Sequence, residues 1–324
     1  MYQYKKIIEI EPVHVDSCFS DQIATVLEWR NQRYELMFLQ GWNFVFCSDI
    51  VTETIGEQID RGYGYYTKNL HDLHGIKIDT YYVDEAIEFY DQVVFQIKEN
   101  NPVCIYMDAY WCPWYKYYKQ QHYRHYCLVV GFDLNKKVLF CMDPNFANRI
   151  WELDIAHIKK TCYEYRVIVE EKFEGYNLEK CNRAIFLAMK KMLERSDTRE
   201  SGVENIRHFA KEIYKMSDIS KEVEGYKDIR MAPLVFQIGE IVSRRNNFSN
   251  GMKLYDDIFG LSYYYEIEKQ VEKIIKKWKI ISNGIIRALV MGKRKIDVDF
   301  MKNELLEIAE QEENIAATLI KYMK

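Results

Sequence analysis

"HYCLVVGFDLNKKVLFCMDP", residues 125–144, decides how the first half of the chain is built. Two apolar runs of strand length flank the polar stretch DLNKK, the pattern of an antiparallel hairpin. With Leu134 at the centre of a three-residue loop, His125 stands directly opposite Asp143, their Cβ atoms about 5 Å apart on one face. A carboxylate there fixes the tautomer of the ring and stabilises its charged form. Taken singly, His125 is a surface histidine opening a strand and Asp143 belongs to an ordinary Asp-Pro turn.

About a hundred residues upstream, "HVDSCFSDQIATVLEW" (14–29) has the marks of a helix start. Asp16 and Ser17 are N-cap residue types, and Phe19, Ile23, Val26 and Leu27 follow at helical spacing. Cys18, Gln22, Thr25 and Trp29 fall on the neighbouring face. A thiol in the first turn sits at the positive end of the helix dipole, where a thiolate is favoured, and a nearby imidazolium favours it further. The competing reading is a small core cysteine, one of the most buried residue types.

The 324 residues are 48% hydrophobic and 29% charged, with a formal net charge of −4. That balance argues against a general nucleic-acid binder, and no apolar run nears the roughly 20 residues that cross a bilayer. The start, "MYQYKKIIEIEPVHVD", is interrupted by Glu9 and Glu11 and does not read as a signal peptide. Eight cysteines without a CxxC pair point to a reducing cytoplasm rather than a disulfide framework. His71-x-x-His74 and His122-x-x-His125 have metal-like spacings but lack further ligands, so no metal is expected. "RGYGYY" (61–66) carries no phosphate-binding pattern and reads as a turn or a substrate loop.

The character of the chain changes near residue 175. Strand-like runs at 101–110, 126–133, 138–144 and 163–173 precede it. Amphipathic helical patterns follow, the longest repeating apolar residues at 267, 271, 274, 275, 278, 281, 285 and 289. The tail, "DFMKNELLEIAEQEENIAATLIKYM", reads as one more helix or two broken ones. The expectation is an α+β domain over 1–175 and an all-helical domain over 176–324, whose long apolar stripe could bury a homodimer interface.

Cysteine on an early helix, histidine opening a strand and aspartate closing the next resembles papain-like folds of the C39-peptidase type. More narrowly, the chain resembles the butirosin-biosynthesis-protein-H-like acyltransferases of antibiotic assembly lines. "SCFSDQIATVLEW", "NPVCIYMDAYWCPWY", the His and Asp-Pro strands, "SRRNNFSNGMKLYDDIF" and "KKWKII" carry the likeness. It extends to the amide synthases of closthioamide-type thiotemplated pathways. The chain departs from the pattern in two places: Ser17 stands where many members have histidine, and Pro12 where papain-like enzymes place an oxyanion-hole glutamine.

The resemblance implies catalytic roles for Cys18, His125 and Asp143 and a site-lining place for Asp108, while Gln22, one turn after Cys18 on the same face, is the candidate oxyanion donor in place of the missing glutamine. It implies transfer of an acyl group from a carrier-protein phosphopantetheine thioester to a small-molecule amine, with no cofactor in the enzyme itself. A cysteine peptidase of the same fold and a catalytically silent binding module are the rivals. The run "AYWCPWYKYYKQQHYRHY" is then an aromatic lid or channel, or simply a tyrosine-rich core loop. Its Lys116, Lys119 and Arg124 are candidates to meet an acidic carrier protein.

Overall fold

The computed structural model describes residues 4–15, 17–47, 52, 54–60, 67–194 and 202–323. Asp16 and the stretch 61–66 lie outside the described residues. The first elements are β1 (Lys5–Ile7), α1 (Cys18–Trp29), β2 (Val45–Phe46), β3 (Ile59–Asp60), α2 (Thr67–His74), β4 (Ile76–Tyr82) and α3 (Ala86–Lys98). Next come β5 (Val103–Asp108), β6 (Arg124–Asp133), β7 (Val138–Asp143), β8 (Ala147–Asp154), α4 (Ile155–Thr161) and β9 (Glu164–Glu170). The chain then turns helical: α5 (Leu178–Leu193), α6 (Val203–Tyr214), α7 (Pro233–Phe259), α8 (Tyr263–Val290) and α9 (Val298–Tyr322). This is an α+β chain with a helical C-terminal region.

Two compact units emerge. The first comprises residues 1–34 and 74–174, the second 35–73 and 175–324. The unit changes after Glu174, and residues 35–73 group with the helices instead of the sheet. The reason is apolar: Leu36, Leu39, Trp42, Phe44 and Phe46 are buried in the same core as α5 to α9. The tail is one unbroken helix, α9.

The first unit is built on an antiparallel sheet in the order β4-β9-β5-β6-β7-β8, with β1 also paired to β6. Residues of β6 after Arg124 and all of β7 are buried, as expected for strands covered on both faces. Val103, Ile105, Met107, Cys127, Val129, Leu139 and Cys141 pack with Phe89, Val93 and Ile97 of α3. Helix α1 packs against β6. β4 is an exposed edge strand, so it lacks the apolar run that marks the central strands.

The β6–β7 hairpin is longer at its tip than the three-residue loop expected from sequence. Residues 134–137 form the turn, and the Asp133 side chain accepts hydrogen bonds from the backbone N–H of Asn135 (2.9 Å) and Lys136 (3.1 Å). The register shifts between Val129 and Gly131, beyond which Val129 faces Cys141 and Leu128 faces Met142. Continued by one residue, this sets Asp143 opposite Cys127, not opposite His125. His125 and Asp143 are therefore diagonal neighbours on one face, still within side-chain reach. Gly131 admits β1: a Cβ there would collide with the Lys6 carbonyl oxygen.

Candidate active site

Helix α1 begins at Cys18 itself. Ser17 is its N-cap, and Ser17 and Ser20 form a reciprocal capping box, each side chain accepting from the other's backbone N–H. Residues Ser20 to Leu27 are all buried, so the helix runs through the interior with its N-terminus at the site. All eight cysteines are free; seven are buried and Cys18 alone is half-buried. Burial pushes the Cys104 and Cys181 thiols up to about 12, and raises those of Cys112, Cys127 and Cys162 as well. Those thiols stay protonated and unreactive.

Cys18, His125 and Asp143 converge. His125 Nε2 lies 2.6 Å from Asp143 Oδ2, with the ring 7% exposed and the carboxylate fully buried. Cys18 lies near enough to the ring to help raise its pKa. With Nε2 committed to Asp143, Nδ1 is the nitrogen left for the thiol. Burial alone would lower the His125 pKa. It is outweighed by the charge and hydrogen bond of Asp143 and by Cys18, which together hold it up at about 10. The ring is therefore an imidazolium at neutral pH, the partner a thiolate needs.

Aromatic side chains enclose the ring. Tyr115 and Phe146 stand 5.9 and 5.5 Å from it and meet each other edge-on at 4.8 Å. Trp114 donates its indole N–H to Asp143 Oδ2 at 2.8 Å. Part of the tyrosine- and tryptophan-rich run thus walls the site. Lys116 and Lys119 lie over the rings of Tyr117 and Tyr118.

A buried carboxylate one turn into α1 ties the surroundings together. Asp21 accepts from Val15 N–H (2.8 Å) and Asn145 Nδ2 (3.1 Å), and its Oδ2 pairs with His14 Nδ1 at 2.7 Å. The loop that follows Asp143 is thereby fastened to the helix that carries Cys18. Asp21 left no signal in the sequence: an acid in a helix's first turn reads as a surface dipole partner.

The two secondary candidates each have a partner of their own. Gln22 is buried and donates Nε2 to the Tyr126 carbonyl at 3.4 Å. Asp108 pairs with His122, its Oδ2 being 2.6 Å from Nδ1, and its Oδ1 accepts from Tyr110 N–H, so it is a partner of the other histidine and not of His125. His74 is buried beside Gln32, and burial drives its pKa down to about 3. Among the described residues no group of three or more His, Cys, Asp or Glu side chains could hold a metal ion, and no helix is long and apolar enough to cross a membrane.

Residues 17–144 match the family model of the N-terminal region of butirosin biosynthesis protein H. Residues 17–144 thus carry the N-terminal domain of the butirosin-biosynthesis-protein-H-like family. The segment shared with butirosin biosynthesis protein H opens one residue before Cys18 and closes one residue after Asp143. It therefore contains all three converging side chains. No curated protein gives a significant match to the chain.

Proposed function

We propose that the protein is a cysteine acyltransferase that forms amide bonds in antibiotic-type biosynthesis, built on a papain-like, C39-type first domain. The observation that carries this reading is the single half-buried thiol at a helix N-terminus, near an imidazole that is held by a buried carboxylate. The likeness of residues 17–144 to butirosin biosynthesis protein H suggests the biosynthetic setting.

Cys18 thiolate attacks the carbonyl of a thioester on a carrier protein's phosphopantetheine arm. The carrier thiol leaves with a proton from the His125 imidazolium, and the acyl group remains on Cys18 as a new thioester. An amine then attacks; neutral His125 takes its proton, and Cys18 departs as thiolate. Asp143 orients the ring throughout. No ATP enters, because the donor thioester is already activated. The backbone N–H of Cys18, in the helix first turn, is the first oxyanion donor, and the Nε2 proton of Gln22 not given to Tyr126 is the second. Tyr115 and Phe146 keep water from the acyl-enzyme. Lys116, Lys119 and Arg124 offer cations to an acidic carrier.

Incubation with an acylated carrier protein, read by intact mass, tests this. The expected result is an acyl adduct on Cys18 that disappears on adding an amine, with stoichiometric amide released. Amide formation by a Cys18→Ala variant overturns it. Cleavage of peptides with no thioester requirement selects the peptidase reading instead, and iodoacetamide reactivity no faster than that of a free thiol selects a silent module.

A further inference from the structure

Asp143 is an unevenly served carboxylate. Both of its hydrogen-bond donors, the His125 ring and the Trp114 indole, meet the same oxygen, Oδ2, at 2.6 and 2.8 Å. Its other oxygen, Oδ1, is buried with no hydrogen-bond partner. A buried carboxylate with one bare oxygen gains by rotating about its Cβ–Cγ bond toward any donor it can reach. The side chain stays put only if something besides the histidine holds Oδ2.

Trp114 is placed to do that. It is 9% exposed and stacks on Trp151 at 5.4 Å with planes 19° apart, and the Arg149 guanidinium lies over the Trp151 ring at 3.4 Å. The indole is thus fixed by strand β8 independently of the histidine. An indole N–H donates and cannot accept, so it pins the oxygen without competing for the imidazole proton.

We propose that Trp114 is a positioning residue: by holding Oδ2 it keeps the Asp143 carboxylate aimed at His125 Nε2. The inference rests on the reading of Cys18 and His125 as a reacting pair. Without the indole N–H the carboxylate keeps its charge but loses its direction. The directed hydrogen bond to His125 then weakens while the longer-range attraction stays.

The other titratable groups around the pair are Cys18 from α1, Cys112 and Tyr115 from the β5–β6 connection, Cys127 on β6 and Cys141 on β7. Burial raises the Cys112 and Cys127 thiols. Tyr115 and Cys141 also stand near the pair, so the inflection that belongs to His125 is the one absent from a His125→Ala variant.

The test is the pH dependence of Cys18 alkylation by iodoacetamide, followed by peptide mass mapping, which needs no acyl substrate. Trp114→Phe removes the donor. Replacing Trp114 by 3-benzothienylalanine removes it while keeping the ring's shape, which serves if the phenylalanine variant folds poorly. Trp151→Phe leaves the donor in place. The expected result is an alkaline inflection lowered by one pH unit or more in both Trp114 variants and by less in Trp151→Phe, which keeps the donor and loosens only its stack. A wild-type inflection in the benzothienyl variant overturns the inference. A wild-type profile with no histidine-linked inflection overturns the reacting-pair reading, and this inference with it.

Discussion

Each unit of the molecule buries a carboxylate against a cation and an indole, and the two are served differently. In the helical unit, Glu312 faces Arg245 with neither side chain exposed. Its Oε1 accepts from Arg245 Nε (3.1 Å) and Trp278 Nε1 (3.0 Å), and its Oε2 from Arg245 Nη2 (2.8 Å) and Trp42 Nε1 (3.1 Å). Four donors share two oxygens evenly. In the sheet unit Asp143 has two donors on one oxygen and none on the other. A saturated carboxylate is a fastening; a half-saturated one still has affinity to spend on the proton of its partner. His122 and Asp108 complete the contrast. Their 2.6 Å separation equals that of His125 and Asp143, but the histidine is 69% exposed, so water screens the pair.

The contrast can be broken most sharply at the thiol. Cys18→Ala should abolish acyl transfer, a loss of about 10⁴-fold or more, and adding His125→Ala should cost little further, because the two act as a unit. Single-turnover measurement with a carrier thioester reads both. Asp143→Asn should lower the rate by about 10³-fold to 10⁴-fold while leaving the chain folded.

That variant also carries a pH signature. The His125 pKa is raised in the folded chain from 6.5 to about 10. The stabilisation it provides is fully present below about pH 6.5 and is lost as pH rises through about 10. The gap in melting temperature between wild type and Asp143→Asn should therefore be widest near pH 6 and close above pH 10.

On the other side of the comparison, Glu312→Ala should strand Arg245 in the helical core and cost about 3–5 kcal/mol, measured by chemical denaturation. Asp21→Ala removes the carboxylate that accepts from the Val15 N–H, His14 and Asn145 and should cost about 1–3 kcal/mol. The smallest effect belongs to His122→Ala, at roughly 0.5 kcal/mol or less, with acyl-transfer rate within about twofold of wild type. A large rate loss in His122→Ala would erase the distinction between the two histidine–aspartate pairs.

Much of this was legible in the sequence where a residue's chemistry and its local pattern agree. Strands β5, β6, β7 and β9 announced themselves as apolar runs because they are interior strands. β4 lies at an edge and β8 alternates, and both passed unnoticed. Helix α7 buries Gln237, Arg244, Arg245, Asn247 and Asp256 beside its apolar residues, so no single stripe marks it. In the site, Cys18, His125 and Asp143 are found together, although the longer tip loop and the bulge after Val129 together move the expected pairing by two residues along β6. Trp114 and Asp21 could not be found this way. Among so many aromatic neighbours, nothing local distinguishes an indole that donates a hydrogen bond from one that fills space, and a carboxylate whose partners lie 6 and 124 residues away leaves no periodicity.

The helical unit is assembled from two stretches of chain, 35–73 and 175–324, and this has a consequence for biosynthesis. Leu36, Leu39, Trp42, Phe44 and Phe46 leave the ribosome long before the helices that cover them. At about 5–20 residues per second, those side chains wait on the order of ten seconds for the first of α5 and longer for α9. A nascent chain stalled anywhere in that interval is a natural client for a holdase chaperone, and a fragment cut at residue 175 would carry the same greasy stretch with nothing to close over it.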